Sequence, residues 1–133
     1  MLFDDYAHHP TEIITTLEGL FKSFPKNRII TIFQPHRYSR LTNLFDEFSA
    51  SFGRSKHVLV LDVYGAGESP DGFKTSEELA EAINQKNGNA VYCPADIGST
   101  LGGILAANDI VILMGAGSVT QMAPEVIRLI KAR

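Results

Sequence analysis

The chain has 133 residues, 44% hydrophobic and 20% charged, with a formal net charge of −3, which suits one domain around a single core and excludes disorder. No block of Lys and Arg occurs, so a partner gripped through phosphates, bulk nucleic acid above all, is disfavoured. No apolar run reaches the ~20 residues of a membrane span and no signal-peptide pattern opens the sequence, so the expectation is a cytoplasmic protein with no membrane partner.

Met1 leads almost at once into a short apolar strand, which suggests a segment of something longer. The run Phe3-Asp4-Asp5-Tyr6-Ala7-His8-His9-Pro10-Thr11-Glu12 then reads as strand, polar turn and helix start. Pro10 suits a first helical position, where its missing N–H costs nothing. Ile13, Ile14, Leu17, Leu20, Phe21 and Phe24 recur at helical spacing and predict a helix over 10–24, stopped by Pro25. The β-branched run 28–33 predicts a strand covered on both faces. It ends in Gln34-Pro35-His36-Arg37-Tyr38-Ser39-Arg40, after which Leu41, Leu44, Phe45, Phe48 and Phe52 mark a helical face closing at Gly53.

A third strand is predicted over 58–63, followed by a loop over 64–74 that is long for an α/β connection and so a candidate for function or motion. Thr75 and Glu78 form a capping-box pattern that opens a helix through Leu79, Ala80 and Ile83, ended by Asn87-Gly88. A short strand is predicted over 90–93, then a helix capped by Asp96 through Ile97, Leu101, Ile104 and Leu105. The run 109–114 is the clearest buried strand. Gly115-Ala116-Gly117-Ser118 turns it into a last helix through Val126, Ile127 and Ile130. Strands separated by single helices must be parallel and joined by right-handed crossovers. The fold class is therefore α/β, a three-layer, Rossmann-like domain with a mostly parallel, doubly wound sheet.

In such a sheet ligands sit outside the carboxyl ends of the strands, and the unusual polar residues fall there. Asp4, Asp5, His8 and His9 follow the first strand, His36, Arg37 and Arg40 the second, and Asp62 and Glu68 flank the end of the third. Arg37 and Arg40 either clamp a carboxylate or phosphate by forked hydrogen bonds or form a solvated turn with one surface ion pair. Asp4 and Asp5 either orient a ribose or metal-bound nucleotide, or one of them caps the first helix. Adjacent His8 and His9 point apart and cannot share one zinc ion; one is read as a hydrogen-bonding or acid/base group at the rim, the other as a packing residue. No metal site is expected. His57, on the opposite edge, and Cys93, the single cysteine, are read as structural, and a lone cysteine fits a reducing compartment. The Gly115-Ala116-Gly117 turn serves either an anion or close strand-to-helix packing. No GxxxxGK[ST] loop occurs, so if ATP is used another domain must hold its triphosphate.

The runs FDDYAHHPTEI, FQPHRYSR, DVYGAGE and GAGSV, in that order, resemble the C-terminal domain of the Mur ligases, and the resemblance covers essentially all of residues 1–133. It implies an excised third, amino-acid-binding domain, with the UDP-sugar-binding and ATPase domains of the same enzyme as partners. Within the family the runs are most similar to the branch that joins L-alanine to UDP-N-acetylmuramate; a sister branch adds a recycled tripeptide to the same sugar. The implied chemistry is phosphorylation of the muramyl carboxylate by ATP, then attack of the amine on the acyl phosphate, with Mg2+ shielding the phosphates. The resemblance further implies that Asp5, with Asp4 beside it, lies near the nucleotide ribose. It sets His8 and His9 near the amino acid and acyl phosphate, and Arg37 and Arg40 facing the alanine carboxylate or the transferring phosphate. Tyr6, His9, Arg37 and Arg40 would then contact substrate, and His8, His9, Arg37 and Arg40 serve catalysis. A remote alternative is a signalling receiver module, on the analogy of Asp4, Asp5 and Asp62 to an acidic pocket.

Overall fold

The computed structural model describes residues 1–86 and 88–133. Its strands are β1 (Leu2–Asp5), β2 (Ile29–Phe33), β3 (His57–Val60), β4 (Ala90–Tyr92) and β5 (Ile110–Met114). They form one sheet in the order β1-β5-β2-β3-β4, and every neighbouring pair is parallel. The helices are α1 (Pro10–Ser23), α2 (Tyr38–Asn43), α3 (Phe45–Ser49), α4 (Ser76–Lys86), α5 (Ile97–Ile104) and α6 (Ala123–Lys131), with a 3-10 turn at Ser118–Met122 before the last.

The strand order and the right-handedness of the crossovers together place the helices. From β1 to β4 the chain steps one way across the sheet, so α1, α2, α3 and α4 share a face; the step from β4 back to β5 reverses direction and must cross on the other face. Two apolar layers result. Ile13 and Leu17 of α1, Leu41, Phe48 and Leu79 pack with Ile29, Phe33, Ile110 and Ile112 on one side. Ile97 and Leu101 of α5 and Val126 of α6 pack with Ile30, Ile32, Val111 and Leu113 on the other. The alternation along β2 and β5 assigns successive residues to opposite layers, which is why both strands are fully buried and, Thr31 apart, apolar. Thr31, the polar member of β2, satisfies its hydroxyl against Ser55 Oγ at 2.6 Å.

Register aligns the strand ends. Met114 sits opposite both Asp5 and Phe33, and Val60 opposite both Phe33 and Tyr92. The five segments that leave these ends therefore emerge along one rim.

Several boundaries differ from the sequence expectation. The helix expected after β2 is two pieces that break at Leu44 (φ −117°, ψ 26°). Hydrophobic spacing sees only the buried face that both pieces share, and the backbone break leaves that face intact. The last helix starts at Ala123 because Pro124 lacks the N–H of a helix interior and is tolerated only in a first turn. Strand β3 ends at Val60, three residues early, although Leu61 N still donates to Phe33 O at 2.9 Å. The Thr75–Glu78 capping box and the Asp96 cap form as expected. Of the helix-ending pair Asn87-Gly88, Asn87 lies outside the described residues.

At the opposite end of the sheet, Arg28 grips the buried Asp109 through Nε at 2.8 Å and Nη2 at 2.6 Å, and also donates to Ile104 O. Burial works to raise the Asp109 carboxyl, but Arg28 and the Ala106 N–H outweigh it and hold it below its ordinary value. His57 opens β3 at this same end. This pair ties the β2 and β5 entries together and sits far from the rim.

Candidate functional site

The rim is built from four exits. After β1, Asp5 turns the chain: its Oδ1 accepts from Ala7 N at 2.8 Å, and its Oδ2 accepts from Thr16 Oγ1 of α1 at 3.1 Å. The cap of α1 is neither aspartate but His9, whose Nδ1 accepts from Thr11 N at 3.2 Å while Glu12 accepts from His9 N at 3.0 Å. An imidazole is an unusual N-cap, so the sequence rule that favours Asp or Asn missed it. Asp4 and Asp5 alternate along β1 and part company. Asp4 accepts from Thr120 Oγ1 on the 3-10 turn, whereas Asp5 faces α1.

His8 and His9 also diverge, as expected. His8 turns inward along the rim, with Nδ1 at 2.9 Å from Tyr6 O, its ring edge-on to Tyr6 at 5.6 Å and to His36 at 6.0 Å. His36 in turn stacks on Tyr64, with ring centroids 5.5 Å apart and planes within 9°. Tyr6 is 71% exposed and Tyr64 43%, so two tyrosines flank an imidazole pair on an open shelf.

The segment after β2 carries the basic groups. His36 and Tyr64 form a parallel bridge in which Arg37 N donates to Tyr64 O and Tyr64 N to Pro35 O, both at 2.8 Å. Arg37 occupies the N-cap position of α2 with φ 68°, a left-handed conformation that L residues rarely adopt and that clusters at functional positions. Arg40 lies one turn on. Among the described residues neither arginine forms a salt bridge, so the ion-paired version of a solvated turn is not what forms. Among the described residues neither Arg40 Nη1 nor His36 Nδ1, both buried, has a hydrogen-bond partner. Burial lowers the His36 pKa, and the charges of Arg40, His8 and Arg37 lower it further against the opposing pull of Glu68. The result is a neutral imidazole at neutral pH beside two fixed cations.

The long loop 64–74 is tied down rather than loose. Glu68 accepts from Ser39 N at 3.1 Å and from Ser39 Oγ at 2.5 Å, and Thr42 Oγ1 accepts from Lys74 N at 2.8 Å. Asp62 accepts from Tyr92 Oη at 2.5 Å, which pushes the Tyr92 pKa up to about 12. That contact pairs Asp62 with β4 instead of with Asp4 and Asp5, so no shared acidic pocket forms.

The glycine turn after β5 serves packing. A Cβ on Gly115 would lie 2.9 Å from the Gln34 carbonyl oxygen, and one on Gly117 would lie 2.7 Å from Tyr64 Cγ and 2.8 Å from Gln34 Oε1. Gln34, buried, accepts from Val119 N and donates to Ser118 Oγ, which locks the turn to the end of β2. Gln34, His36 and Tyr64 were not singled out by role from the sequence. The usable signal was that FQPHRYSR places every polar residue directly after a strand.

A hollow of about 280 Å3 between α1 and the end of α3 is lined by Ile14, Leu17, Glu18 and Arg54. It holds an exposed Arg54–Glu18 pair and none of the rim residues. Cys93 is buried and its thiol meets Ala95 O, in keeping with a structural role.

Fold and rim together define a Rossmann-like α/β module with a cationic, imidazole-lined shelf suited to a small anion. The family described as Mur ligase, glutamate ligase domain matches residues 1–117, and the chain belongs to that family. Among curated relatives, a UDP-N-acetylmuramate–L-alanine ligase of Sulfurihydrogenibium sp. (strain YO3AOP1) is 42% identical over 125 residues, covering 92% of this chain and 28% of the relative. The corresponding ligase of Protochlamydia amoebophila (strain UWE25) is 38% identical over 133 residues, covering 98% of this chain and 29% of its own. The chain thus spans under a third of these relatives. Of solved structures, a UDP-N-acetylmuramate-alanine ligase from Thermotoga maritima superposes with TM-score 0.74 at 22% identity, over 99% of this chain and 27% of that one. A domain of a protein described as a UDP-N-acetylmuramate:L-alanyl-gamma-D-glutamyl-medo-diaminopimelate ligase from Haemophilus ducreyi 35000HP gives 0.69 at 19% identity, over 98% of this chain and 89% of that one. These likenesses bear out the three-layer parallel fold, and the family assignment displaces the receiver alternative.

Proposed function

We propose that residues 1–133 form the amino-acid-binding C-terminal domain of an ATP-dependent ligase that joins L-alanine to UDP-N-acetylmuramate. The observation that carries the site is Arg40 Nη1, a buried cationic donor with no partner among the described residues, beside the equally unpartnered His36 Nδ1. Buried polar groups are nearly always paired, and a ligand carboxylate supplies what both lack. Arg40 and Arg37 bind that carboxylate, and neutral His36 offers Nδ1–H as a third donor. His8, at the centre of the shelf, is the group within reach of an incoming amine; His9 and Tyr6 border it. Asp5 is largely committed to the turn, and exposed Asp4 is the freer of the two for a ribose.

ATP supplies the phosphoryl group that activates the sugar nucleotide's carboxylate. Among the described residues no three His, Cys, Asp or Glu side chains gather as a metal centre would. ATP and Mg2+ would be held chiefly by the enzyme's ATPase domain, and the sugar nucleotide by its UDP-binding domain. A cytoplasmic setting suits nucleotide-linked substrates and a free cysteine; no helix among the described residues is long and apolar enough to cross a membrane.

The test is ADP release with UDP-N-acetylmuramate, L-alanine and magnesium ATP, on this chain alone and on the full-length enzyme that contains it. Turnover by the longer protein with L-alanine is the expected result. Turnover with the tripeptide instead would reassign the chain to the sister branch, and activity of the 133-residue chain by itself would overturn the division of labour.

A further inference from the structure

We infer that Glu68, on the loop between β3 and α4, is a positioning residue for the Arg37–Arg40 clamp; the inference rests on the functional reading above and deepens it. Helix α2 has no cap of its own, since its N-cap Arg37 makes no side-chain cap bond. Glu68 supplies one from 29 residues away, taking both the Ser39 N–H and the Ser39 hydroxyl on its two oxygens. The loop is shaped to bring it there. Ala66 and Gly67 both take positive φ (52° and 92°), Glu68 N closes the turn on Gly65 O at 3.0 Å, and a Cβ on Gly65 would lie 3.3 Å from the Tyr38 ring. Two positive-φ residues closed by such a bond make the tight primed type of turn, which needs Gly or a tolerant residue at its tip.

Two contacts therefore hold Arg37 in its left-handed conformation: the backbone bridge to Tyr64 on one side and the Glu68 cap on the other. Strained conformations persist only when the surroundings over-determine them. The Ser39 bonds, first the hydroxyl and then the backbone N–H, hold the Glu68 carboxyl below its ordinary value, and the Arg37 charge adds to this. Glu68 keeps its charge in the working range and neutralises part of the clamp's own repulsion without occupying a donor of Arg40.

Glu68→Ala, in the full-length enzyme, is expected to raise the KM for L-alanine about tenfold while leaving the KM values for ATP and sugar nucleotide unchanged. Glu68→Gln keeps the geometry, its amide oxygen accepting from Ser39 N and its amide nitrogen donating to Ser39 Oγ, and should recover most of the loss. Ser39→Ala removes half of the cap and should give a smaller rise of the same kind. It decides the matter alone if Glu68→Ala does not fold. An unchanged L-alanine KM in these variants, or an equal loss for all three substrates accompanied by a lower melting temperature, overturns the positioning role. If Arg40→Met also leaves the L-alanine KM unchanged, the functional reading itself fails; if Arg40→Met raises it and Glu68→Ala does not, only the role of Glu68 is lost.

Discussion

Arg40→Met in the 133-residue chain should stabilise it, because the structure charges Arg40 a cost that only a ligand repays. Its Nη1 is buried with no acceptor among the described residues. An unmade hydrogen bond at a buried donor costs roughly 1–3 kcal/mol, and more when the group is charged. Arg40 as a whole is only half-buried, so the lower end of that range applies. Methionine keeps an aliphatic stem of similar length and deletes the donor, so little packing is lost. Removing the Arg40 charge also relieves His36, whose proton affinity that charge depresses. The net gain should be about 1 kcal/mol, or about 3–5 °C in melting temperature for a domain of this size. Urea and thermal unfolding followed by circular dichroism measure it directly. A loss of more than about 1 kcal/mol would show that Arg40 holds the fold together. The carboxylate-binding argument would then lose its main support. Residues that are costly in the isolated fold and indispensable for catalysis are the expected signature of a binding site.

Two further outcomes follow from the rim and the termini of the sheet. Gly117→Ala forces a Cβ to within 2.7 Å of Tyr64 Cγ; it should cost roughly 1–3 kcal/mol by overpacking and displace Tyr64 from His36. A urea midpoint unchanged by that substitution would mean that the turn yields and that close packing is not why glycine stands there. Stability should also fall on mild acidification. His36 and His57 both have folded-state pKa values below the ordinary 6.5, chiefly through burial. The unfolded chain therefore binds these protons more readily, so stability is full above about pH 6.5 and drops as the pH falls through the folded-state values. Glu12, Glu68 and Asp109, all held below their ordinary carboxyl values, add a second loss below about pH 4.5. Melting temperatures from pH 8 to pH 3 should descend in those two stages, and His36→Gln should blunt the first. A flat profile between pH 7.5 and pH 5.5 would refute the assignment.

Element type was legible in the sequence wherever a local rule suffices. The almost wholly apolar runs of β2 and β5 require cover on both faces, and with single helices between strands that requirement leads to a parallel three-layer sheet. The Thr75–Glu78 box and Pro10 at the head of α1 follow from the orphan N–H groups of a first helical turn. The rim was legible for the same reason, since strand ends in such a sheet must face one way. What tertiary structure alone decided is how the rim residues are paired. Alternation along β1 separates Asp4 from Asp5, so their adjacency in sequence carries no joint chemistry. His9 is drawn into capping α1, and His8 into a ring contact with His36, 28 positions away. Glu68 reaches Ser39, Tyr92 reaches Asp62, and Gly117 makes room for Tyr64 only because register brings the ends of β1, β5, β2, β3 and β4 level. Hydrophobic periodicity and capping are local, acting within a few residues, whereas a site at the end of a parallel sheet is assembled from segments that only strand order and register make neighbours.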